Sequence, residues 1–431
     1  MRGPSAHVIP DGMNVWQEAD YMKIRKKETG PKWATKILDN IRVLDLSRFQ
    51  SGPICGMLLG DMGAEVIRIE ETGGSADRRW GFLGSDGETL AYKIVGRNRK
   101  GITLNLRTAQ GKRILRELVR WSDVVLHNYT PKSPLADILS YTRLRRINRG
   151  IIVAAISGFG QNGPDAELVS FDHIAQARSG NMLLAGFPGD PPTKTPVAYN
   201  DICSGFASAM GILLALYHRQ KTGIGQSVDV SLFDIALFSG QCMGSLILYE
   251  LYGKVHTHVG NRGFHSYMGC FKAKDDKWVV ICGTTNAIWK RLAKAIGRKD
   301  MIDDPRFGIN DMVRFNNSKL IDEVLKEWVS LRTSNEVVKI LQEGRVPCSA
   351  VNTVEKLLHD RQVKAREMIV HSDYPGLGKI PLPGIPVKLS LTPGSISLPA
   401  PHLGEHNEEI YCGLLGFSRR KFEQLKSKGI I

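Results

Sequence analysis

Short apolar strands alternate with helical segments over most of this chain, and this alternation limits the possible fold more than any other feature. The pattern predicts a strand over residues 41–46, a helix that begins at Ser51 and a second strand over residues 65–70. It continues through a predicted helix over residues 135–147, predicted strands at residues 151–156 and 226–231, and a long helix that follows the last strand and reaches residue 251. Repeated strand–helix–strand units form parallel sheets with helices on both faces. The sequence therefore predicts an α/β fold with a doubly wound parallel sheet.

Three loops that follow predicted strands are the first candidates for a binding site. They comprise residues 47–52, 128–132 and 157–164. Ligands of open α/β sheets bind beyond the carboxyl ends of the strands, where such loops meet. The third loop contains a G-x-G-x-x-G pattern from Gly158 to Gly163, but Pro164 follows at once instead of an amphipathic helix. This context favours a close-approach turn over a dinucleotide site.

Changes in composition and in the pattern of predicted elements divide the 431 residues into four parts. Residues 1–38 form a basic N-terminal extension, and residues 39–235 carry the first part of a large domain. Residues 236–345 contain a linker helix and shorter, more polar elements, which predict a smaller domain. The tail, residues 346–431, is rich in proline and glycine, as expected of an extended return to the large domain.

The composition indicates a basic protein without disulfides or metal. Lysine and arginine exceed the acidic residues by 58 to 43, which gives a formal charge of +15 and favours anionic ligands. No zinc-finger spacing, aromatic RNA-binding motif or basic heptad accompanies this charge, so nucleic acid is not the expected partner. Seven cysteines without a C-x-x-C pair indicate reduced thiols in the cytoplasm. The apolar stretches 206–217 and 235–249 are too short or too interrupted to span a membrane, so no membrane partner is expected.

Two polar features leave open alternatives when taken alone. Asp201 stands where an apolar helix begins, a place suited either to a helix cap or to a nucleophilic carboxylate. Arg97, Arg99 and Lys100 precede a predicted strand, where they form either a solvated basic turn or a clamp for phosphate groups.

Several motifs follow one another in an order that resembles a known family. They read IRVLDLS from residue 41, SGP from 51, LGDMGAEVIRIE from 59, RNRK from 97, SGFGQNGP from 157, FD from 171, QARSG from 176 and LGEH from 403. Together they resemble the class III coenzyme A transferases, the family of formyl-CoA:oxalate transferase and the carnitine CoA-transferases. The resemblance covers about residues 38–431. It implies a Rossmann-like large domain built from both ends of the chain, a smaller inserted α+β domain, and interlocked homodimers.

The resemblance also implies an activity, the transfer of CoA from an acyl-CoA to a free carboxylic acid, with no permanently bound cofactor. Asp201 is then the nucleophile, kept ionised by the helix N-terminus, and forms first a mixed anhydride and then an aspartyl-CoA thioester. Gln50 lies beside this centre, where it can bond a reacting carbonyl. Asp172 either orients or polarises the reacting acyl group, or caps the helix that follows it.

The remaining implied contacts concern CoA and the acid. Arg97, Arg99 and Lys100 are expected near the CoA phosphates, and Asn128 and Tyr129 near the nucleotide. Ala136 stands about where many relatives have a basic residue, so we expect Lys132 to replace that contact. A loop of Gly260, Asn261 and Arg262 is expected to cover the reacting centre. The positive charge, with Arg178 or Arg262, suits a dicarboxylate.

Two alternatives to CoA transfer stay open at this point. The family includes 2-methylacyl-CoA racemases, which place a histidine before the acid that corresponds to Asp172, whereas this chain has Phe171 there. His173 follows the acid instead, and a shift of one residue on a helix turns a side chain by roughly 100°. Transfer is therefore favoured over racemisation. The second alternative is a non-enzymatic, basic protein associated with nucleic acid.

Overall fold

The computed structural model describes residues 36–431. The predicted basic extension therefore lies almost entirely outside the described residues. Eleven strands occur in the described part of the chain: β1 (Arg42–Asp45), β2 (Glu65–Glu70), β3 (Lys100–Thr103), β4 (Val124–His127), β5 (Ile152–Ser157), β6 (Ser227–Ser231), β7 (Met268–Lys272), β8 (Trp278–Cys282), β9 (Cys348–Ala350), β10 (Ile369–Tyr374) and β11 (Gly378–Pro383).

The helices alternate with the strands as the sequence predicts. They are α1 (Ser51–Asp61), α2 (Leu90–Val95), α3 (Ala109–Trp121), α4 (Pro134–Ile138), α5 (Tyr141–Leu144), α6 (Asp172–Arg178), α7 (Tyr199–Thr222), α8 (Leu232–Gln241), α9 (Ser245–Tyr252), α10 (Asn286–Ala295), α11 (Asp311–Asn316), α12 (Ser318–Ser330), α13 (Ser334–Glu343), α14 (Val354–His359), α15 (Arg361–Ala365) and α16 (Arg419–Ser427). Short 3₁₀ turns lie at Ala76–Arg79, Asn181–Leu183 and Lys299–Met301, and a π-helix lies at Glu409–Leu414.

The first six strands form one parallel sheet in the order β3-β2-β1-β4-β5-β6. Val43 of the central strand β1 pairs with Val66 on one side and Val124 on the other. The order reverses direction between β1 and β4, which creates a crevice at the carboxyl ends of these two strands. The predicted doubly wound parallel sheet is confirmed.

Helices cover the sheet on both faces because successive strand residues point to opposite sides. Val43 joins a buried cluster that contains residues of α1 and α7, while Leu44 joins a second cluster with α3. The second cluster also contains Ile430 and Ile431, at the end of the chain. The C-terminal segment thus returns to pack on the first sheet.

A separate antiparallel sheet, β7-β8-β9, has a hydrophobic core of its own. Helices α10, α12 and α13 pack against it, and the buried Trp289 of α10 lies near its centre. Strands β10 and β11 form a hairpin whose residues Tyr374 and Leu382 pack with Tyr92. The hairpin thus packs on α2.

Helix α7 is longer than its apolar run predicts. It spans 24 residues and is long and apolar enough to cross a membrane by length and composition, with 33% of its most apolar window buried. The pair α8 and α9 meets the same test only if its 62° bend is counted as a break within one span. One face of the helix packs along α1 and against β5 and β6, whereas Met210 and Leu214 on another face are exposed. The expectation that no membrane partner exists stays a prediction.

Candidate active site

A cleft of about 730 Å³ lies at the carboxyl edge of the parallel sheet. Its lining includes residues from all three loops that the strand pattern singles out, so the expected meeting of these loops is confirmed. The residues that line it are Arg48, Phe49, Gln50, Ser51, Trp80, Asn128, Tyr129, Thr130, Ser133, Ile156, Ser157, Gly158, Val169, Ser170, Phe171, Asp172, His173, Lys194, Thr195, Pro196, Ala198, Asp201 and Leu232.

Asp201 faces this cleft from the first turn of α7. The N-cap of that helix is Ala198, whose side chain accepts no bond, and Asp201 is the third helical residue. No hydrogen bond to the Asp201 carboxylate occurs within residues 36–431. The Asp201 side chain is therefore not a helix cap. Its carboxylate oxygens line the cleft and are available to react with a bound substrate.

Burial, and then the nearby charge of Asp172, raise the pKa of Asp201 to about 7. This corrects the expectation that the helix N-terminus keeps the carboxylate fully ionised at neutral pH. The dipole favours the anion, but loss of hydration and a second carboxylate favour the neutral acid more strongly. Near pH 7 about half of the Asp201 side chains carry the charge that a nucleophile needs.

Asp172 stabilises the start of the Asp201 helix. Its Oδ1 accepts the backbone N–H of Asn200 at 2.8 Å, and its Oδ2 accepts a bond from the side chain of Gln176. Gln176 in turn accepts the backbone N–H of Thr195 at 2.9 Å. Asp172 and Asn200 are both buried. The expected cap on the helix that Asp172 begins is not observed, because that helix has no side-chain cap bond, and Asp172 bonds the first turn of α7 instead. Its role in orienting the acyl group stays a prediction.

Gln50 is the N-cap residue of α1, and its side chain lines the same cleft as Asp201. Asn128 and Tyr129 also line it, and the amide of Asn128 donates to the backbone oxygen of Arg48 at 2.6 Å. The Arg48 guanidinium lies 5.0 Å from the centre of the Tyr129 ring. The motifs predicted Gln50, Asp201, Asn128 and Tyr129 as site residues. No motif pointed to Arg48, apart from its position next to Gln50.

Arg97 and Arg99 are not available to phosphate groups, which corrects their expected role. Each is 1% exposed. Arg97 pairs with Asp61 at 2.6 Å, and Arg99 pairs with Asp45 at 2.9 Å. Buried guanidinium groups with these partners stabilise the fold instead of binding a ligand.

The two lysines expected near phosphate lie outside the cleft lining. Lys100 bonds Glu65 at 2.7 Å and Glu409 at 2.8 Å, and these bonds leave it only partly exposed. Lys132 is exposed and pairs with Glu167, although its neighbours Thr130 and Ser133 do line the cleft. Lys132 as a phosphate contact stays a prediction.

The loop of Gly260, Asn261 and Arg262 does not line the Asp201 cleft of its own chain. Asn261 and Arg262 line a second cavity of about 460 Å³, where Arg262 pairs with Asp322. The N–H of Gly260, whose φ is +63°, donates to the oxygen of Gly186 at 2.9 Å. The expected covering of the reacting centre is therefore not formed within a single chain.

Three residues that line the cleft were not predicted from the sequence as site residues, namely Trp80, Lys194 and Phe49. Phe49 forms edge-to-face contacts with Trp80 and Phe171, at ring distances of 6.2 and 5.5 Å. Exposed aromatic residues that meet in a cleft are a signal of binding, but only the fold brings these distant residues together. Within residues 36–431 no group of three or more His, Cys, Asp or Glu side chains could hold a metal ion.

Residues 38–407 match the model of CoA-transferase family III, and the chain belongs to this family. It is 34% identical to a succinyl-CoA–D-citramalate CoA-transferase of Chloroflexus aurantiacus, over 91% of this chain and 98% of the relative. It is 33% identical to a formyl-CoA:oxalate CoA-transferase of Streptomyces avermitilis, over 92% and 100%. Identity to a succinate–glutarate CoA-transferase of Agrobacterium fabrum is 32%, over 88% and 95%.

A solved structure of a CAIB/BAIF family protein from Brucella suis has a similar fold. The TM-score is 0.76 at 30% identity, over 88% of this chain and 100% of that one. Together with the family match, these relatives identify the protein as an enzyme of the CoA-transferase class, with acyl-CoA thioesters as substrates.

Proposed function

We propose that this enzyme transfers CoA from an acyl-CoA donor to a free dicarboxylate, with Asp201 as the nucleophile. The observation that carries the proposal is the Asp201 carboxylate itself, which faces the cleft from the start of α7 without a hydrogen-bond partner in residues 36–431. A carboxylate is a suitable nucleophile for a thioester because the resulting anhydride stays reactive toward a thiolate.

The reaction needs only acyl transfers. An Asp201 oxygen attacks the thioester carbonyl, and the CoA thiolate leaves, which forms a mixed anhydride between Asp201 and the donor acid. The thiolate then attacks the Asp201 carbonyl, so that the donor acid leaves as a carboxylate and an aspartyl-CoA thioester remains. The acceptor carboxylate attacks this thioester, and the released thiolate takes the new acyl group and frees Asp201. No redox or metal cofactor enters these steps.

Gln50 is proposed to stabilise the reaction by donating from its side-chain amide to the carbonyl oxygen as negative charge develops there. Its place in the cleft lining opposite α7 supports this role. Preorganised donors of this kind are worth about 10² to 10³ in rate.

The dicarboxylate specificity is supported by the charges in the cleft. Arg178 and Arg262 pair with Asp165 and Asp322 and do not line it. Lys194 does line it, and no ion pair of Lys194 occurs among the described residues. The names of the relatives specify succinate, malate, citramalate, glutarate or oxalate, all of which carry two carboxylates. We propose that Lys194 binds the carboxylate that does not react.

An interlocked homodimer with the inserted small domain of the family is also proposed. Exposed apolar side chains on α7, α8 and α9 support it, including Met210, Leu214, Phe238, Ile247 and Tyr252, of which the least exposed, Leu214, is 60% exposed. Large exposed apolar side chains concentrated on successive helices are typical of interfaces. Since the Gly260–Arg262 loop lies outside its own cleft, we propose that its covering role is exerted across this dimer. A cytoplasmic location stays a prediction.

The test of the function is a transfer assay. Purified protein is incubated with succinyl-CoA and a panel of mono- and dicarboxylic acids, and new acyl-CoA species are identified by mass spectrometry. The intact enzyme should form new dicarboxylyl-CoA species, and Asp201→Ala should form none while keeping the fold by circular dichroism. Substantial turnover by Asp201→Ala would remove Asp201 from its role.

A further inference from the structure

The loop that presents Gln50 is fixed by side chains from three separate parts of the chain. The backbone N–H of Ser47 donates to Asp45 Oδ1 at 2.9 Å, at the end of β1. The N–H of Arg48 donates to Asn128 Oδ1 at 2.9 Å, from the loop after β4. Two consecutive backbone N–H groups before Gln50 thus bond to side chains, and not to the backbone oxygens that they would meet in a strand or a helix.

The third N–H in this row belongs to Phe49, directly before Gln50. It donates to Asp77 Oδ2 at 3.0 Å, in the short 3₁₀ turn after β2. The backbone of Phe49 is left-handed, with φ at +65°. A side chain in this region costs about 1 kcal/mol or more, so such a conformation persists only where its surroundings hold it.

Asp77 is well suited to hold this turn because it is itself fixed and charged. It is 4% exposed, and Arg68 Nη2 donates to both of its oxygens at 2.9 Å. Burial alone would raise the pKa of Asp77, but the Arg68 charge and the hydrogen bonds outweigh it, and the pKa lies below its usual value. Arg68 is fully buried beside the ring of Tyr92, with its guanidinium carbon 5.1 Å from the ring centre.

We infer that Asp77, anchored by Arg68, is a positioning residue for Gln50. By holding the left-handed turn at Phe49, it sets where the Gln50 side chain enters the cleft that Asp201 faces. The inference rests on the proposed function, because it assigns Asp77 an effect on the acyl-transfer step. Without this contact the loop relaxes from the left-handed turn, and Gln50 no longer meets the developing oxyanion.

The first test compares two identical substitutions of buried, arginine-paired aspartates. Asp77→Asn leaves one acceptor oxygen for two donors, whereas Asp61→Asn disturbs the pair with Arg97, which does not touch the Gln50 loop. Both variants should lose thermal stability. Only Asp77→Asn should lose kcat, by about tenfold or more, with the KM for the donor acyl-CoA changed by less than about twofold. Equal kcat in the two variants would overturn the inference.

A double variant then asks whether Asp77 acts through Gln50. Gln50→Ala alone should lower kcat, and Asp77→Asn should add almost nothing in the Gln50→Ala background because the group it positions is absent. Multiplicative losses would show that Asp77 acts independently of Gln50 and would overturn the inference.

Three further cases can be distinguished from these. If Asp77→Asn does not fold, Arg68→Lys keeps a positive charge but removes the guanidinium whose Nη2 bonds both Asp77 oxygens. The kcat should then fall severalfold, so an unchanged kcat would contradict the inference. If the intact enzyme forms no new acyl-CoA, the proposed function itself fails, and the inference fails with it. If transfer and the Gln50→Ala loss are normal but Asp77→Asn has no effect, only the inference fails.

Discussion

Asp201 is subject to opposing influences. The helix N-terminus favours its anion, whereas burial and Asp172 raise its pKa to about 7. The proposed nucleophile therefore titrates near neutral pH instead of near the usual aspartate range.

This pKa predicts the pH dependence of the first acyl transfer. Only the anion attacks, so a raised pKa means that activity is full above about pH 8 and falls about tenfold per pH unit below pH 7. The rate of CoA release from succinyl-CoA in single turnover should therefore have an acid limb with a midpoint near 7. A midpoint near the ordinary aspartate value of about 4 would contradict the description of this site.

Lys194 provides a second prediction, on substrate choice. Lys194→Met should raise the KM for a dicarboxylate acceptor about tenfold, since one charge-assisted bond is lost, and leave the KM for a monocarboxylate unchanged. Lys221→Met, at the far end of α7, is the control and should behave as the unchanged enzyme. Equal losses for both acid classes would assign Lys194 to CoA instead of the acid.

Among individual residues, the sequence motifs predicted Asp201, Gln50 and Asp172, which all line the cleft, because the family pattern fixes their places in the chain. The motifs were wrong about Arg97 and Arg99. Three cations within four residues look alike in sequence whether they face solvent or are buried, and their partners Asp61 and Asp45 lie 36 and 54 residues away. Lys194 and Trp80 stand in no motif, and only the folded loops bring them to the cleft.

The close packing of α1 on α7 sets the relation between Gln50 and Asp201. Gly205 makes this approach possible, since a Cβ there would lie 2.6 Å from Ile54 Cγ2 and 3.0 Å from the oxygen of Ser51. The first distance is shorter than the normal contact distance of a Cβ atom, and the second lies at its lower limit. The helix that carries Asp201 and the helix that follows Gln50 are thus in direct contact.

Gly205→Ala should therefore lower the free energy of unfolding by about 1 to 3 kcal/mol, as overpacking does, and lower kcat by shifting α7. Gly413→Ala is the control, because nothing lies within 4 Å of a Cβ at that position. Chemical denaturation and initial rates measure the two effects. An equally stable and active Gly205→Ala variant would show that the helix contact is not limiting.

Strands could be predicted better than helices from this sequence. The strand β2 agrees with the prediction at both ends, since a short apolar run between turns has few alternatives. The helix predicted over residues 135–147 is instead two short helices, α4 and α5, and the one predicted to reach residue 251 is broken between α8 and α9. Gly244, with φ at +79°, marks the second break, which an apolar pattern alone does not reveal.

At the scale of the whole molecule, the exposed apolar surface of α7, α8 and α9 predicts self-association. The purified protein should elute at the mass of a dimer in size-exclusion chromatography with light scattering. Ile247→Glu should reduce that mass toward one chain, because it places a charge within the proposed interface. Leu331→Glu, at an exposed side chain after α12, which packs on the β7–β9 sheet, is the control. A monomeric unmodified protein would contradict the dimer.

Covalent acylation of Asp201 can be detected by trapping the activated carboxyl group. The enzyme is mixed with succinyl-CoA, quenched with hydroxylamine, digested and analysed by peptide mass spectrometry. Since hydroxylamine converts an activated aspartyl group to a hydroxamate, we predict a hydroxamate at Asp201 that requires succinyl-CoA. New acyl-CoA products without this adduct would contradict the mechanism. Exchange of the α-proton of a 2-methylacyl-CoA with solvent, in the absence of transfer, would identify a racemase instead.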